Sequence, residues 1–255
     1  MFELPVIDMQ AQVPTDEWRL RVDLAACYRL VAHFGWDDLI YTHISARVPG
    51  SHHFLVNPFG LTFDEITASS LVKVDLDGRV LNDTPFSFNP AGFTIHSAIH
   101  EARDDARCVL HLHTNATIAV ATQKAGLLPL SQFALFSLPS LGYHAYEGLA
   151  VNPDEKRRLQ EDLGSNHHLL LRNHGALTVG PTVGDAFMRM YDLQRACEIQ
   201  LLLLASKAET VPVSAAIVHG IAQQAGVVHS GTTGGCKNWP AMLRKAYRLD
   251  PGFAA

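Results

Sequence analysis

The chain has 255 residues, 47% of them hydrophobic and 18% charged, an ordinary balance for a protein that buries a sizeable core. A formal net charge of -5, with Lys and Arg scattered along the chain, argues against general nucleic-acid binding, which calls for a basic face. No apolar run approaches the length of a membrane span, since Ile199 to Ala205 is short and flanked by Glu198 and Lys207.

Met1 to Pro5 lack the basic and apolar regions of a signal peptide. The four cysteines (Cys27, Cys108, Cys197 and Cys236) show no CxxC pairing, and the first three lie in apolar periodic segments. Reduced, packed thiols and a cytoplasmic location are therefore expected.

In chain order, Asp16 to Phe34 carries helical periodicity, with Leu20, Leu24, Cys27, Tyr28 and Val31 on one face and Gly35 as the stop. Leu39 to Val48 alternates and is rich in β-formers, which predicts a strand. Leu71 to Asp75 and Gly78 to Leu81 form a hairpin through Asp77-Gly78. Pro90 opens a helix over Ala91 to Arg103, in which His96 and His100 share a face. A strand ending in His111-Leu112-His113 follows, and Thr114 or Asn115 caps the next helix, which runs through Ala125.

Further strands are predicted near Ala134–Leu138 and Leu169–Val179, with a helix between Pro153 and Leu163 and a long helix from Val183 to Ala208. The tail from Ser214 reads as one helix, a Gly/Thr-rich loop and a short helix from Trp239 to Tyr247. There is no repeat, low-complexity segment or long linker, so residues 1–255 are read as one domain. Hairpin-joined strands among helices favour a mixed, largely antiparallel sheet over a doubly wound parallel one. Gly231 to Asn238 lacks the Gly-Lys-Ser/Thr core of a phosphate loop, because Cys236 precedes Lys237. Asp75-Leu76-Asp77-Gly78 has too few ligands for a calcium loop.

The chemistry concentrates in two short stretches. On a strand, His111 and His113 project from the same face, whereas on a helix they would point to nearly opposite sides. His174, in the turn Asn173-His174-Gly175, follows another apolar run. Three imidazoles from two strand ends would leave one position of a tetrahedral metal open, as a catalytic site requires. Spacing alone does not bring the three together, and strand-end histidines also serve as hydrogen-bond donors.

Longer stretches carry a resemblance. Asn89 to Thr114, with His96, His100, His111 and His113, is similar to the class II aldolase/adducin family, as is Leu171-Arg-Asn-His174-Gly-Ala-Leu-Thr-Val-Gly180 with the helix containing Ala196 to Gln200. Ile40 to Arg47, the Asn57-Pro58-Phe59-Gly60-Leu61 turn and the Val74 to Gly78 hairpin follow the family's order. The likeness covers residues 18 to 250 and is nearest the adducin-like branch. It implies a three-layer α/β/α fold around a nine-stranded, mostly antiparallel sheet. It also implies a homotetramer with its site near a subunit interface, and a divalent metal held by His111, His113 and His174. Zinc is the expected ion, with iron or manganese as alternatives. The metal would act as a Lewis acid on a hydroxy-carbonyl unit of a small-molecule substrate.

The departures from that pattern bear on the substrate. The resemblance places the acid/base glutamate where this chain has Gly92, and two serines where it has Pro90 and Ala91. The phosphate-binding Gly-Asn-x-Ser run appears as Thr42-His43-Ile44-Ser45, and a further phosphate contact as Phe59-Gly60. Fewer hydroxyl and amide donors remain for a phosphate dianion.

Substrate contacts are therefore expected from His43, Ser45, Asn57, Phe59, Gly60 and Gly92, with His43 facing a carboxylate. Tyr146 and His144 are the proton-transfer candidates, against plain readings as a packed aromatic and a surface histidine. His96 is expected to make a structural hydrogen bond behind the site. The expected activity is a metal-dependent decarboxylase or retro-aldol lyase on a non-phosphorylated hydroxy or keto acid. A non-haem iron oxygenase and a non-catalytic adducin-like binding protein are the alternatives.

Overall fold

The computed structural model describes residues 8–150, 152, 154–228 and 235–255. Helix α1 (Thr15–His33) is followed by β1 (His43–Arg47), β2 (Phe54–Val56) and β3 (Val72–Val74). Helix α2 (Pro90–Ala102) leads into β4 (Cys108–Leu112), α3 (Asn115–Thr122), α4 (Gln132–Ser137) and β5 (Leu141–His144). The remainder is α5 (Glu155–Leu163), β6 (His168–Leu171), β7 (Gly175–Gly180), α6 (Val183–Ser206), α7 (Ala215–Val228) and α8 (Gly235–Leu249). No helix among the described residues is long and apolar enough to cross a membrane.

Among the described residues the strands form one seven-stranded sheet in the order β3-β2-β1-β4-β7-β6-β5. Neighbours run antiparallel except β5 and β6, which pair in parallel and are joined through α5. The expected nine-stranded, mostly antiparallel sheet is thus corrected to a seven-stranded mixed one. The expected strand at Ala134–Leu138 is also corrected: those residues belong to α4, where the Ser131 hydroxyl accepts the Ala134 N–H at 3.2 Å and starts a helical turn. The missed strand, β5, begins just beyond it. The predicted Gly/Thr-rich loop falls largely on residues 231–234, outside the described residues.

Strand alternation sends side chains into two layers. Ile44, Ala46, Leu110, Leu112, Leu170 and Ala176 pack beneath α1, α3 and α6. On the other face Val109, Leu169, Leu171, Leu177 and Val179 meet Ile95 and Ile99 of α2 and Leu159 and Leu163 of α5. Each such fully buried aliphatic side chain contributes roughly 1.5–3 kcal/mol. His43 and His111 are directly opposed across β1 and β4, and both point to the α2/α5 face. One end of that face becomes the site.

Strand β1 is held from behind by Tyr28 of α1. Its hydroxyl accepts the Ile44 N–H at 2.8 Å and the Asn57 N–H at 3.1 Å, and its own proton is shared between Ile44 O and Asn57 Oδ1. Complete burial raises the phenol's pKa well above its ordinary value, so it stays protonated as this network requires.

Candidate metal centre

His111 is on β4 and His113 lies one residue past its end, which keeps both imidazoles on one face. The third arrives through a tight turn between β6 and β7. Asn173 adopts a left-handed backbone (φ 60°), a conformation asparagine tolerates better than most residues. A Cβ at Gly175 would lie 2.4 Å from Leu112 O, so the turn can seat against β4 only with glycine there. Arg172 pins the same turn from outside, donating to Ala121 O and Gln123 O at 3.0 and 2.7 Å. Its guanidinium also lies 4.2 Å from the Tyr143 ring centre. The motif Arg-Asn-His-Gly is therefore a positioning device for His174.

The three imidazoles converge. His113 Nε2 lies 2.9 Å from His111 Nε2 and 3.0 Å from His174 Nε2. The far nitrogens settle two of the tautomers. His111 Nδ1 faces Ala176 O at 3.1 Å, and a carbonyl can only accept. His113 Nδ1 faces Asp38 Oδ2 at 3.0 Å. Both Nδ1 atoms donate, so both rings turn Nε2 inward as the atom whose lone pair is available to a metal. Two lone pairs at such a separation repel one another unless a cation lies among them. Nδ1–H donation to a carbonyl and a carboxylate is also how metal-bound histidines are oriented. The donor set fits a divalent metal.

Burial pushes the His111 pKa well below its ordinary value, with the neighbouring histidines adding to the effect, and brings His174 to about 4. Near neutral pH these rings are uncharged, the form a metal requires.

Beside the three histidines opens a pocket of about 360 Å³ whose walls include Tyr41, His43, Phe59, Ala91, Ile95 and Leu149. Among the described residues, no Lys or Arg lines it. A larger cleft of about 580 Å³ lies at the opposite end of β4, around Arg19, Arg47 and Asp104.

Of the residues expected from sequence to contact substrate, His43 and Phe59 line the pocket. Gly92 faces His43: a Cβ there would lie 2.4–2.8 Å from three of its ring atoms. The imidazole fills the space where the resemblance puts a glutamate side chain. Ser45 lies behind His43, Asn57 is bonded to Tyr28, and Gly60 forms a turn (φ 105°); none of these three lines the pocket.

Tyr146 is exposed, with its ring 6.4 Å from that of His174. His144 is buried rather than on the surface. Its Nδ1 meets Asp162 Oδ2 at 2.7 Å and its Nε2 is 3.4 Å from Glu155 Oε1. Asp38 was not anticipated. Its only signal is an acidic pair, Asp37-Asp38, ahead of β1, and its reach depends on the turn closed by the Tyr41 N–H to Asp38 O bond.

Residues 22–201 match the family described as Class II Aldolase and Adducin N-terminal domain. A Pseudomonas aeruginosa protein, provisionally named an aldolase class 2 protein, is 59% identical over 96% of each chain. Alpha-adducin of Rattus norvegicus is 51% identical over 73% of this chain but only 26% of its own length. Among solved structures, an aldolase II superfamily protein from Pseudomonas syringae superposes with a TM-score of 0.90 at 45% identity, covering 96% of this chain and 99% of that one. An L-fuculose 1-phosphate aldolase from Glaciozyma antarctica gives 0.81 at 27% identity, covering 98% and 95%. The chain belongs to the class II aldolase/adducin family.

Proposed function

We propose that the protein is a metal-dependent carbon–carbon lyase acting on a non-phosphorylated hydroxy or keto acid, by decarboxylation or retro-aldol cleavage. The observation that carries this reading is the convergence of three imidazoles beside a pocket with apolar walls and, among the described residues, no lysine or arginine. His111, His113 and His174 would hold the metal, zinc being the expected ion. A bound divalent metal supplies Lewis acidity toward a hydroxyl or carbonyl oxygen. Ala176 O and Asp38 orient two of the ligand rings. Phe59, Ile95 and Leu149 give the pocket apolar walls that favour a substrate with an aliphatic or aromatic body.

A phosphate dianion would find no Lys or Arg among the described residues lining this pocket, and glycine at position 92 supplies no carboxylate for proton transfer. Loss of CO2 from a keto acid, whose C–C bonding pair would pass to a carbonyl polarised by the metal, would need no base in the bond-breaking step, which favours decarboxylation over the cleavage named for the fuculose 1-phosphate aldolase. Tyr146, exposed and with its ring 6.4 Å from that of His174, would be the candidate to protonate a product.

The test is metal analysis of the purified protein, followed by a screen of hydroxy and keto acids for release of CO2 or aldehyde. Turnover with bound zinc or manganese that disappears in His113→Ala supports the lyase. Iron with oxygen uptake would point to an oxygenase, and efficient His111-dependent cleavage of a ketose 1-phosphate would overturn the substrate class.

A further inference from the structure

Behind the pocket runs a chain of side-chain hydrogen bonds that the metal centre does not use. His100 Nδ1 lies 3.1 Å from Ala106 O, and His100 Nε2 lies 2.7 Å from Ser45 Oγ. Ser45 Oγ lies 2.5 Å from His96 Nδ1, and His96 Nε2 lies 2.8 Å from His43 Nδ1. All four side chains are buried. His43 lines the pocket, and among the described residues its Nε2 has no hydrogen-bond partner.

The direction of every bond follows from its far end. A carbonyl only accepts, so His100 Nδ1 carries the proton and its Nε2, in the neutral ring, accepts. Ser45 must then donate its single hydroxyl proton to His100 and accept from His96 Nδ1–H. The remaining His96 nitrogen accepts from His43 Nδ1–H. Burial lowers His100 to about 3 and takes His96 well below its ordinary value, so both rings of the relay stay neutral.

We propose that His43 is a specificity-determining residue, held by the Ala106–His100–Ser45–His96 chain as the tautomer whose Nε2 lone pair faces the pocket. It would accept a hydrogen bond from a ligand hydroxyl and reject a carboxylate or phosphate oxygen at that point. Gly92 leaves the ring the room it needs. This reverses the carboxylate contact that replacement of a phosphate-binding asparagine suggests. The identity of the ligand as a hydroxy acid rests on the function proposed above; the tautomer does not.

Two measurements test the proposal. Long-range proton–nitrogen NMR of histidine-labelled, metal-free protein should show His43 protonated at Nδ1 and bare at Nε2, with a mixture of tautomers in Ser45→Ala. A proton on Nε2 in the unmutated protein overturns the proposal whatever the protein binds. In zinc-loaded protein, mandelate should bind about tenfold more tightly than its O-methyl ether, the loss expected for one hydrogen bond. That ratio should fall toward one in His43→Phe and in Ser45→Ala while metal content stays unchanged. Equal affinities in the unmutated protein overturn the proposal. A protein that takes up no metal defeats the lyase reading instead, and the NMR result still decides the tautomer.

Discussion

Gly92 and His43 claim the same volume: a Cβ on the glycine would sit 2.4 Å from Cδ2 of the imidazole and 2.5 Å from its Nε2. The two residues are therefore coupled. Gly92→Ala, and Gly92→Glu more so, should destabilise the protein by about 1–3 kcal/mol through overpacking. The penalty should shrink when His43→Ala is combined with Gly92→Ala. Urea unfolding of the two single variants and the double variant, read as a cycle, checks this. Additive costs would mean the ring moves aside freely.

Asp38 holds His113 by a 3.0 Å bond to Nδ1 from the turn ahead of β1. Asp38→Asn keeps the shape but loses the charge-assisted acceptor. Metal affinity should fall roughly 10–100-fold, the usual cost of losing such an outer partner. His113→Ala should abolish tight binding. Competition with a chromophoric chelator measures both.

Acid should destabilise the fold through histidines that are buried neutral. Burial lowers His100 and His168 from 6.5 to about 3, and takes His43 and His96 well below 6.5. The folded-state values lie below the unfolded ones, so the unfolded chain binds more protons across the interval. Stability is complete above about pH 6.5 and falls as the pH drops toward about 3. Each histidine adds up to about 1.4 kcal/mol per pH unit to the slope. Denaturant midpoints of metal-free protein should show the decline, and His168→Asn, away from the pocket, should flatten it by one proton. A midpoint unchanged between pH 7 and 5 would contradict this account.

The turn carrying His174 makes two sharp demands. Asn173→Gly should be tolerated, since glycine accepts φ 60° freely, whereas Asn173→Ala should cost about 1–2 kcal/mol. Arg172→Lys should not be conservative, because a lysine cannot stack on Tyr143 while reaching both Ala121 O and Gln123 O. Thermal midpoints and zinc affinity should fall together in Arg172→Lys.

The helices were legible because their apolar periodicity and caps are local: α1, α2, α5 and α6 fall within a few residues of their predicted bounds. His111 and His113 were legible on one face because strand side chains alternate, whereas their convergence with His174 was expected from resemblance alone. Segment 132–137 misled because Phe133-Ala134-Leu135-Phe136 is apolar enough for either state, and only Ser131 reveals the helix start. Strand β5, with Gly142 at its centre, pairs with a partner more than twenty residues on and carries no alternating signal. The strand count came from resemblance rather than from residues, and it was too high. Asp38 and the polarity of the His100–Ser45–His96–His43 chain depend on contacts across elements, which no local pattern encodes.

The pairing of β4 with β7 sets His111 opposite Leu177, with α3, α4, β5, α5 and β6 all intervening in the chain. Closing so long a loop is entropically costly and comes only with the sheet itself. A nascent chain that has not yet delivered residue 174 holds two of the three donors and should bind metal weakly. Ion uptake during refolding would thus report the moment the central strands join, and a bound cation would serve as a clock for assembly.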